Sequence, residues 1–216
     1  ASISNISTEA RDGNQLNAGQ IIAHIKGPAA AILSGERTAL NMLQTLSGIA
    51  TLTREFVERI KDTEAILLDT RKTLPGLRSL SKYASRIGGA TNHRMRLDDG
   101  VLIKDNHIAV VGSVSKAIAL AKRAGLKNIE VECDTLEQVK EALEAGADSL
   151  LLDNMSINEL TQAVKLVDKR IPLEASGGVS LNTIRNIAET GVDYISVGAI
   201  TQSAPAVDIG MDLKTK

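Results

Sequence analysis

The chain has 216 residues, 43% of them hydrophobic and 24% charged, and a formal net charge of −1, which fits one folded α/β domain with a full core and a small appendage. A pI near 6.4 and an aromatic content of 1% exclude the basic, base-stacking profile of a nucleic-acid-binding domain. No apolar run approaches the roughly 18 residues of a membrane span, and the opening ASISNISTEARDG lacks the basic-then-apolar order of a secretory signal, so a cytoplasmic protein without membrane or nucleic-acid partners is expected, with its single Cys133 a small strand residue.

In chain order, QIIAHIKGP reads as a strand that ends at Gly27-Pro28. A long helical stretch from Ala30 to Ile60 follows, with Gly48 as a point where it could break. From residue 65 the pattern changes to short apolar runs alternating with amphipathic helices. The runs are Ala65-Leu68, Val101-Ile103, Ile129-Glu132, Ser149-Leu152, Ile171-Glu174 and Tyr194-Val197. Helical periodicity covers Val114 to Ala124, Leu136 to Ala145, Ile157 to Val167 and Leu181 to Glu189. Gly125, Gly146 and Gly191 stand where left-handed C-caps are wanted, and Ser156 and Ser180 where N-caps are.

Strict β and α alternation with continuous apolar strands implies a parallel sheet buried on both faces. The expected fold class is α/β, a six-stranded parallel βα barrel that is an incomplete form of the eight-stranded one, with a partial α+β cap or sandwich at the N-terminus. A doubly wound open sheet is the alternative, weakened by the lack of G-x-G-x-x-G after any strand. The expected division is a cap segment over residues 1–50, the barrel over 51–200 and a tail over 201–216 that returns to the cap.

From Asp69 to His107 there are eight Lys or Arg against four Asp, a surplus of +4, so the rest of the chain carries −5. Solvated helix faces account for scattered charges, but these are interleaved with Gly-Gly, Asn-His and the run Val101-Leu102-Ile103. Concentrated cations on a near-neutral chain suit a small anionic ligand. In a parallel βα barrel the active site lies at the carboxyl ends of the strands, and every run here is followed by polar groups. They are Asp69, Arg71 and Lys72; Lys104, Asp105 and Asn106; Glu132; Asp153 and Asn154; Glu174 and Ser176; and Ser196.

Ser176-Gly177-Gly178 after the fifth run and Gly198 after the last let backbone N–H groups approach an anion, at the usual phosphate position of such barrels. Arg71, Lys72, His93, Arg94 and Lys104 suit a second anion, carboxylate or phosphate. Glu132 and Asp153 could hold a divalent metal, stabilise a developing cation, or pair with those same cations. Two anionic clamps around an acidic pair suggest joining an acidic small molecule to a phosphorylated sugar.

The segments SGERTALNMLQTLSGIATLT, DTRKTLPGLR, NHRMRLDDGVLIKDNHI, LLDN, EASGG and ISVGAITQSAPAVDIGMDL closely resemble the quinolinate phosphoribosyltransferase family, in unbroken order from about Ile21 to the C-terminus. A molybdenum-transport-associated relative shares the TRKT.PG element, but LIKDNHI resembles the quinolinate enzymes. The resemblance implies that quinolinate attacks C1 of phosphoribosyl pyrophosphate, with Mg²⁺, to give nicotinate mononucleotide, pyrophosphate and CO₂. It implies that Arg37, Arg71, Lys72, His93, Arg94 and Lys104 surround the quinolinate carboxylates and that Glu132 and Asp153 lie near the ribose and its metal. Ser176, Gly177, Gly178, Ser196 and Gly198 then form the 5′-phosphate site.

Arg96, Leu74 and Gln202 depart from the family's usual Gly, Thr and His. Family members also carry a further N-terminal stretch that completes a sandwich domain and reaches the active site of a partner subunit, so a homodimer or higher homo-oligomer is implied. Two other readings are open: a Schiff-base aldolase using Lys104, and a barrel that binds phosphorylated ligands without turning them over.

Overall fold

The structure is a computed structural model and describes residues 3–214. The outermost residues of the two terminal segments expected above therefore lie outside the described residues. Strands β1 (Asn5–Thr8) and β2 (Ala23–Lys26) pair antiparallel, with Asn5 opposite Lys26 and Thr8 opposite Ala23. Exposure of all four β1 residues explains why no apolar alternation announces it. Helix α1 (Ala29–Ile60) follows Pro28, whose extended backbone opens it and whose missing N–H is not needed there.

Gly48 does not break α1. A Cβ at that position would sit 2.0 Å from the Pro205 carbonyl oxygen. The C-terminal tail lies directly on this turn: Val207 N–H donates to Gln44 O at 3.1 Å and Gln44 Nε2 to Ile209 O at 2.8 Å. The glycine therefore serves a close backbone approach.

The remaining elements are β3 (Ile66–Leu68), α2 (Arg78–Gly88), β4 (Val101–Ile103), α3 (Asp105–Val111), α4 (Val114–Arg123), β5 (Ile129–Cys133), α5 (Leu136–Glu144), β6 (Ser149–Asp153), α6 (Ile157–Val167), β7 (Leu173–Ser176), α7 (Ile184–Ala188), β8 (Tyr194–Ser196) and α8 (Ala199–Gln202). Six parallel strands form one sheet in the order β3-β8-β7-β6-β5-β4. Among the described residues β3 and β4 do not pair, so the barrel is incomplete. A single parallel bridge from Leu68 to Thr91 places the chain after α2 beside the β3 edge.

Side chains alternate between faces. Ile129, Val131 and Cys133 of β5 pack into the core with the apolar faces of the surrounding helices, while Glu130 and Glu132 take the other face. The Cys133 thiol is pushed up to about 12 by burial and by the nearby Asp134, Glu132 and Glu141 carboxylates, which makes it inert. Two expected starts move by more than one residue. Strand β7 begins at Leu173, after Pro172, which has no N–H for a ladder but accepts from Leu150 N–H at 3.1 Å. Helix α7 begins at Ile184, because Ser180 N–H donates to Thr183 Oγ1 at 2.9 Å and spends the expected cap on a turn. The Ser156 cap holds as a full capping box with Glu159.

Helix α2 was not legible from periodicity. Its buried positions are Ser81, Lys82, Ala84, Ser85 and Gly88, a polar face turned inward. It crosses α1 closely: a Cβ on Gly88 would lie 2.5 Å from Ala50 O and 2.6 Å from Thr53 Cβ. Gly88→Ala is expected to lower the melting temperature, because overpacking costs about 1–3 kcal/mol against the roughly 1 kcal/mol that alanine regains in a helix. A melt at or above that of the wild type would show that the two helices can separate freely.

Candidate active site

Adjacent strands bring the acidic groups into register on one face of the sheet. Glu132 lies beside Leu151, which lies beside Glu174. One step further along, Asp153 lies beside Ser176. At the carboxyl end of β4, Lys104 is the N-cap of α3 and its Nζ contacts Glu132 Oε2. The Asp153 carboxyl is raised above its ordinary range by burial first and then by Glu132 and Asp134, while Lys104 and Lys72 oppose this. Lys72, Lys104, Glu132 and Asp153 thus share one electrostatic neighbourhood, as their positions in sequence predict. Glu132 is paired with one of these cations, Lys104.

The two glycine loops follow β7 and β8, which are neighbours in the sheet. Gly177 has φ +91°, and a Cβ there would come 2.2 Å from Asn154 Oδ1, so only glycine fits. Asn154 in turn donates from Nδ2 to Asp153 Oδ2 at 2.6 Å. Gly178 has φ +60° and open space around it. At Gly198 a Cβ would lie 3.0 Å from Lys72 Cδ and 3.8 Å from Gln202 Cδ, and Thr201 Oγ1 donates to Lys72 O at 2.7 Å. Helix α8, which follows β8, therefore holds the Lys72 backbone. Ser176 is half-buried and Ser196 is buried.

His93 and Arg94 depart from the expected pattern. They come from the segment in the gap between β3 and β4, not from the end of a strand. Both line a cavity of about 390 Å³ whose walls also include Glu130, Glu174 and Tyr194 and, from just before the strands, Asn128, Asp148 and Pro172. The cavity lies toward the amino ends of the strands, and its lining includes neither Arg71 nor Lys72, Lys104, Glu132 or Asp153 at the carboxyl ends. The Arg94 guanidinium donates to Gly100 O at 2.9 Å. Its pKa is lowered by burial and by the neighbouring Arg71, with Glu130 opposing. Arg71 Nε is buried and has no hydrogen-bond partner. Arg94 thus carries positive charge beside that of Arg71, and Arg71 keeps a buried donor unmet.

Behind this pair is a buried network. Asp69 and Lys82 are both 0% exposed and form an ion pair. Asp69 Oδ1 also accepts from His93 N–H at 2.9 Å, and Lys82 Nζ donates to His93 O at 2.9 Å. Asp69 Oδ2 accepts from Ser85 Oγ at 2.8 Å and from Asn92 Nδ2 at 2.6 Å. The ion pair thus grips both main-chain groups of His93. Asp69, read from sequence as one of the carboxyl-end functional groups, turns to α2 and belongs to this network.

On the other side, His93 Nε2 lies 3.2 Å from a Glu174 oxygen and 3.5 Å from a Glu130 oxygen. His93 Nδ1 accepts from Arg94 N–H at 2.8 Å. Burial opposes protonation of the ring most strongly, but hydrogen bonds to Glu130 and Glu174 and their charges outweigh it and raise His93 to about 9. The Arg94 N–H pointed at Nδ1 bars a second proton there, so this geometry holds the ring neutral against that pull. In either charge state Nε2 carries a proton directed at the carboxylates.

Arg37 is not drawn into this arrangement. It lies exposed on α1, with no hydrogen bond or ion pair to the groups above among the described residues. Arg96, one of the departures, pairs with Asp98 and Asp99, and Leu74 and Gln202 are exposed. Glu130 and the Asp69–Lys82 clamp were missed by sequence reasoning. The alternation Ile-Glu-Val-Glu-Cys in β5 does carry the signal for Glu130, since it puts Glu130 on the same face as Glu132.

The family model for the quinolinate phosphoribosyl transferase C-terminal domain matches residues 49–212, and that for the N-terminal domain matches residues 3–47. A probable carboxylating nicotinate-nucleotide pyrophosphorylase of Bacillus subtilis is 50% identical over 205 residues, covering 94% of this chain and 71% of the relative. The carboxylating nicotinate-nucleotide pyrophosphorylase of Mycobacterium leprae is 47% identical over 206 residues, covering 94% of this chain and 72% of its own length. Among solved structures, nicotinate-nucleotide pyrophosphorylase from Ehrlichia chaffeensis is similar with a TM-score of 0.95 and 45% identity, over 98% of this chain and 77% of that one.

Proposed function

Because the chain belongs to the quinolinate phosphoribosyltransferase family, we propose that it transfers the phosphoribosyl group of phosphoribosyl pyrophosphate to the ring nitrogen of quinolinate, with loss of CO₂, giving nicotinate mononucleotide and pyrophosphate for NAD biosynthesis. The observation that carries this reading for the site itself is the pair Arg71 and Arg94, whose unmet donor and mutual repulsion call for a compact, multiply charged anion such as a pyridine dicarboxylate.

In this reading Arg71 and Arg94 hold the carboxylates at the deep end, and the ring nitrogen faces the mouth. The N–H groups around Gly177, Gly178 and Gly198 take the 5′-phosphate. Glu132 and Asp153 face the ribose, where negative charge favours the oxocarbenium character that develops as pyrophosphate leaves. Lys72 and Lys104 neutralise the leaving group. Alkylation of the ring nitrogen creates a pyridinium that stabilises the carbanion left by CO₂, so the second step needs only a fixed substrate.

Mg²⁺ fits this donor set. Glu132 and Asp153 are hard oxygen ligands in a crowded acidic patch, and magnesium is held by one or two carboxylates together with substrate phosphates. Bound there, it would supply further charge neutralisation for pyrophosphate. Assembly with a second copy, which the family resemblance implies, belongs to the same reading. Among the described residues no helix is long and apolar enough to cross a membrane. The aldolase reading loses ground, since Lys104 is engaged with Glu132 and is not a free nucleophile.

Incubation with Mg²⁺, phosphoribosyl pyrophosphate and quinolinate tests the reading: nicotinate mononucleotide is the expected product, and binding of both substrates without product would leave only a ligand-binding barrel. The acid limb of the rate profile carries a further prediction. Asp153 must be ionised in this role and its carboxyl is raised, so activity should fall as pH drops through a value above the ordinary aspartate range. Glu132→Gln removes a like charge and should move Asp153's midpoint down. The stability sign is opposite to that of a salt-bridged aspartate: a raised folded-state value makes Asp153 a burden above its midpoint that is relieved as pH falls. Asp153→Asn should therefore lose turnover without losing stability at neutral pH.

A further inference from the structure

The proposed reaction uses Arg71 and Arg94 at the deep end of the site, but it assigns nothing to the two acids beneath them. Glu174 is 3% exposed, and one of its oxygens, Oε1, is buried without any hydrogen-bond partner. A buried carboxylate kept half-satisfied is costly, so its presence asks for a role. Glu130 comes from β5 and Glu174 from β7, and both converge on Nε2 of His93.

A metal ion is the first reading to test against the geometry, since His93, Glu130 and Glu174 offer three ligand atoms within 4.8 Å of one another. The ring excludes it. Nδ1 accepts the Arg94 N–H, so a neutral ring carries its one proton on Nε2, and a charged ring carries one there as well. Ligation through Nε2 needs that proton moved to Nδ1, where a donor already points. The nearby Arg71 and Arg94 cations would also repel the ion.

We infer that Glu174 and Glu130 are positioning residues for the substrate-carboxylate site, acting through His93 on Arg94. The line of contacts is continuous. The carboxylates fix the Nε2 side of the imidazole, the ring's Nδ1 fixes the main chain of Arg94, and Gly100 O fixes its guanidinium. The main chain of His93 is held separately by Asp69 and Lys82, so removing the acids frees the ring without freeing the loop. A hydrogen bond to a carboxylate is roughly twice as strong as one to a neutral group, and an amide can also present its NH₂ to the ring. Glutamine should therefore hold the ring poorly while filling the same space.

This inference rests on the proposed transferase reading. The experiment compares wild type, Glu174→Gln, Glu130→Gln and the double variant in three readouts. The first is KM for quinolinate against kcat and KM for phosphoribosyl pyrophosphate. The second is the melting temperature. The third is the ¹⁵N spectrum of His93 in the ligand-free protein. The expected result is a KM for quinolinate raised about 3- to 10-fold in each single variant and more in the double, because a charge-assisted hydrogen bond gives way to a neutral one of about half its strength. The phosphoribosyl pyrophosphate KM should stay within about twofold, the melting temperature should not fall, and the His93 signals should move.

Wild type that turns over no quinolinate would sink the transferase reading, whereas the His93 spectrum tests the line of contacts without any turnover. His93 signals unchanged in the double variant would overturn the inference. So would moved signals with an unchanged KM, or a KM loss shared equally by both substrates.

Discussion

Lys82→Met is expected to cost about 3–5 kcal/mol, the usual penalty for removing one partner of a buried ion pair, which for a domain of this size is a melting-temperature drop of roughly 6–20 °C. The loss should exceed that of any surface substitution, because Asp69 is left charged at 0% exposure with only hydrogen-bonding groups around it. It should also be local in its consequence. Lys82 supplies the only side-chain donor to the His93 carbonyl among the described residues, so hydrogen exchange should quicken first in the segment after α2. A second substitution, Asp69→Asn, placed on Lys82→Met removes the stranded charge and should recover part of the loss. A single variant that melts within about 1 °C of wild type would mean that the buried pair is not formed in solution.

Arg71→Ala has the opposite profile. Its Nε is buried without a partner and its charge repels Arg94, so truncation relieves two unfavourable features of the ligand-free protein. Stability should be unchanged or slightly higher. Binding of quinolinate should weaken by about 10²-fold, since a charged hydrogen bond to a desolvated carboxylate is worth about 1.5–3 kcal/mol and a bidentate one more. KM for phosphoribosyl pyrophosphate should change little. Loss of folding as severe as that of a core variant such as Leu151→Ala, at a position 5% exposed, would contradict the assignment of Arg71 to the ligand.

The contrast between these two arginine- and lysine-bearing segments explains what the sequence could and could not reveal. The βα rhythm from residue 65 was readable because its strands are continuous apolar runs and its helices have one apolar face. Capping residues marked most of the boundaries. Lys104, Glu132 and Asp153 were readable because each directly follows or ends an apolar run, and Lys72 because it lies in the loop after one; parallel strands in register turn that into proximity. Helix α2 was not readable, since its inward face is Ser, Lys, Ser and Gly and its burial depends on Asp69, which is distant in sequence. For the same reason Lys82 looked like one more surface cation. His93 and Arg94 were found as residue types, but their depth depends on the unpaired β3–β4 gap, and no local pattern encodes a missing strand pair. Glu130 was visible in the Ile-Glu-Val-Glu-Cys alternation once the face of Glu132 was known.

The central claim is that two adjacent guanidinium groups at the deep end of the site select a dicarboxylate. Calorimetric titration of quinolinate and of nicotinate into the same protein tests it most directly, because the two ligands differ by one carboxylate. The account predicts that quinolinate binds and that nicotinate binds at least about 10-fold more weakly, one charged contact being worth about 1.5–3 kcal/mol. Equal affinity for the two would contradict it.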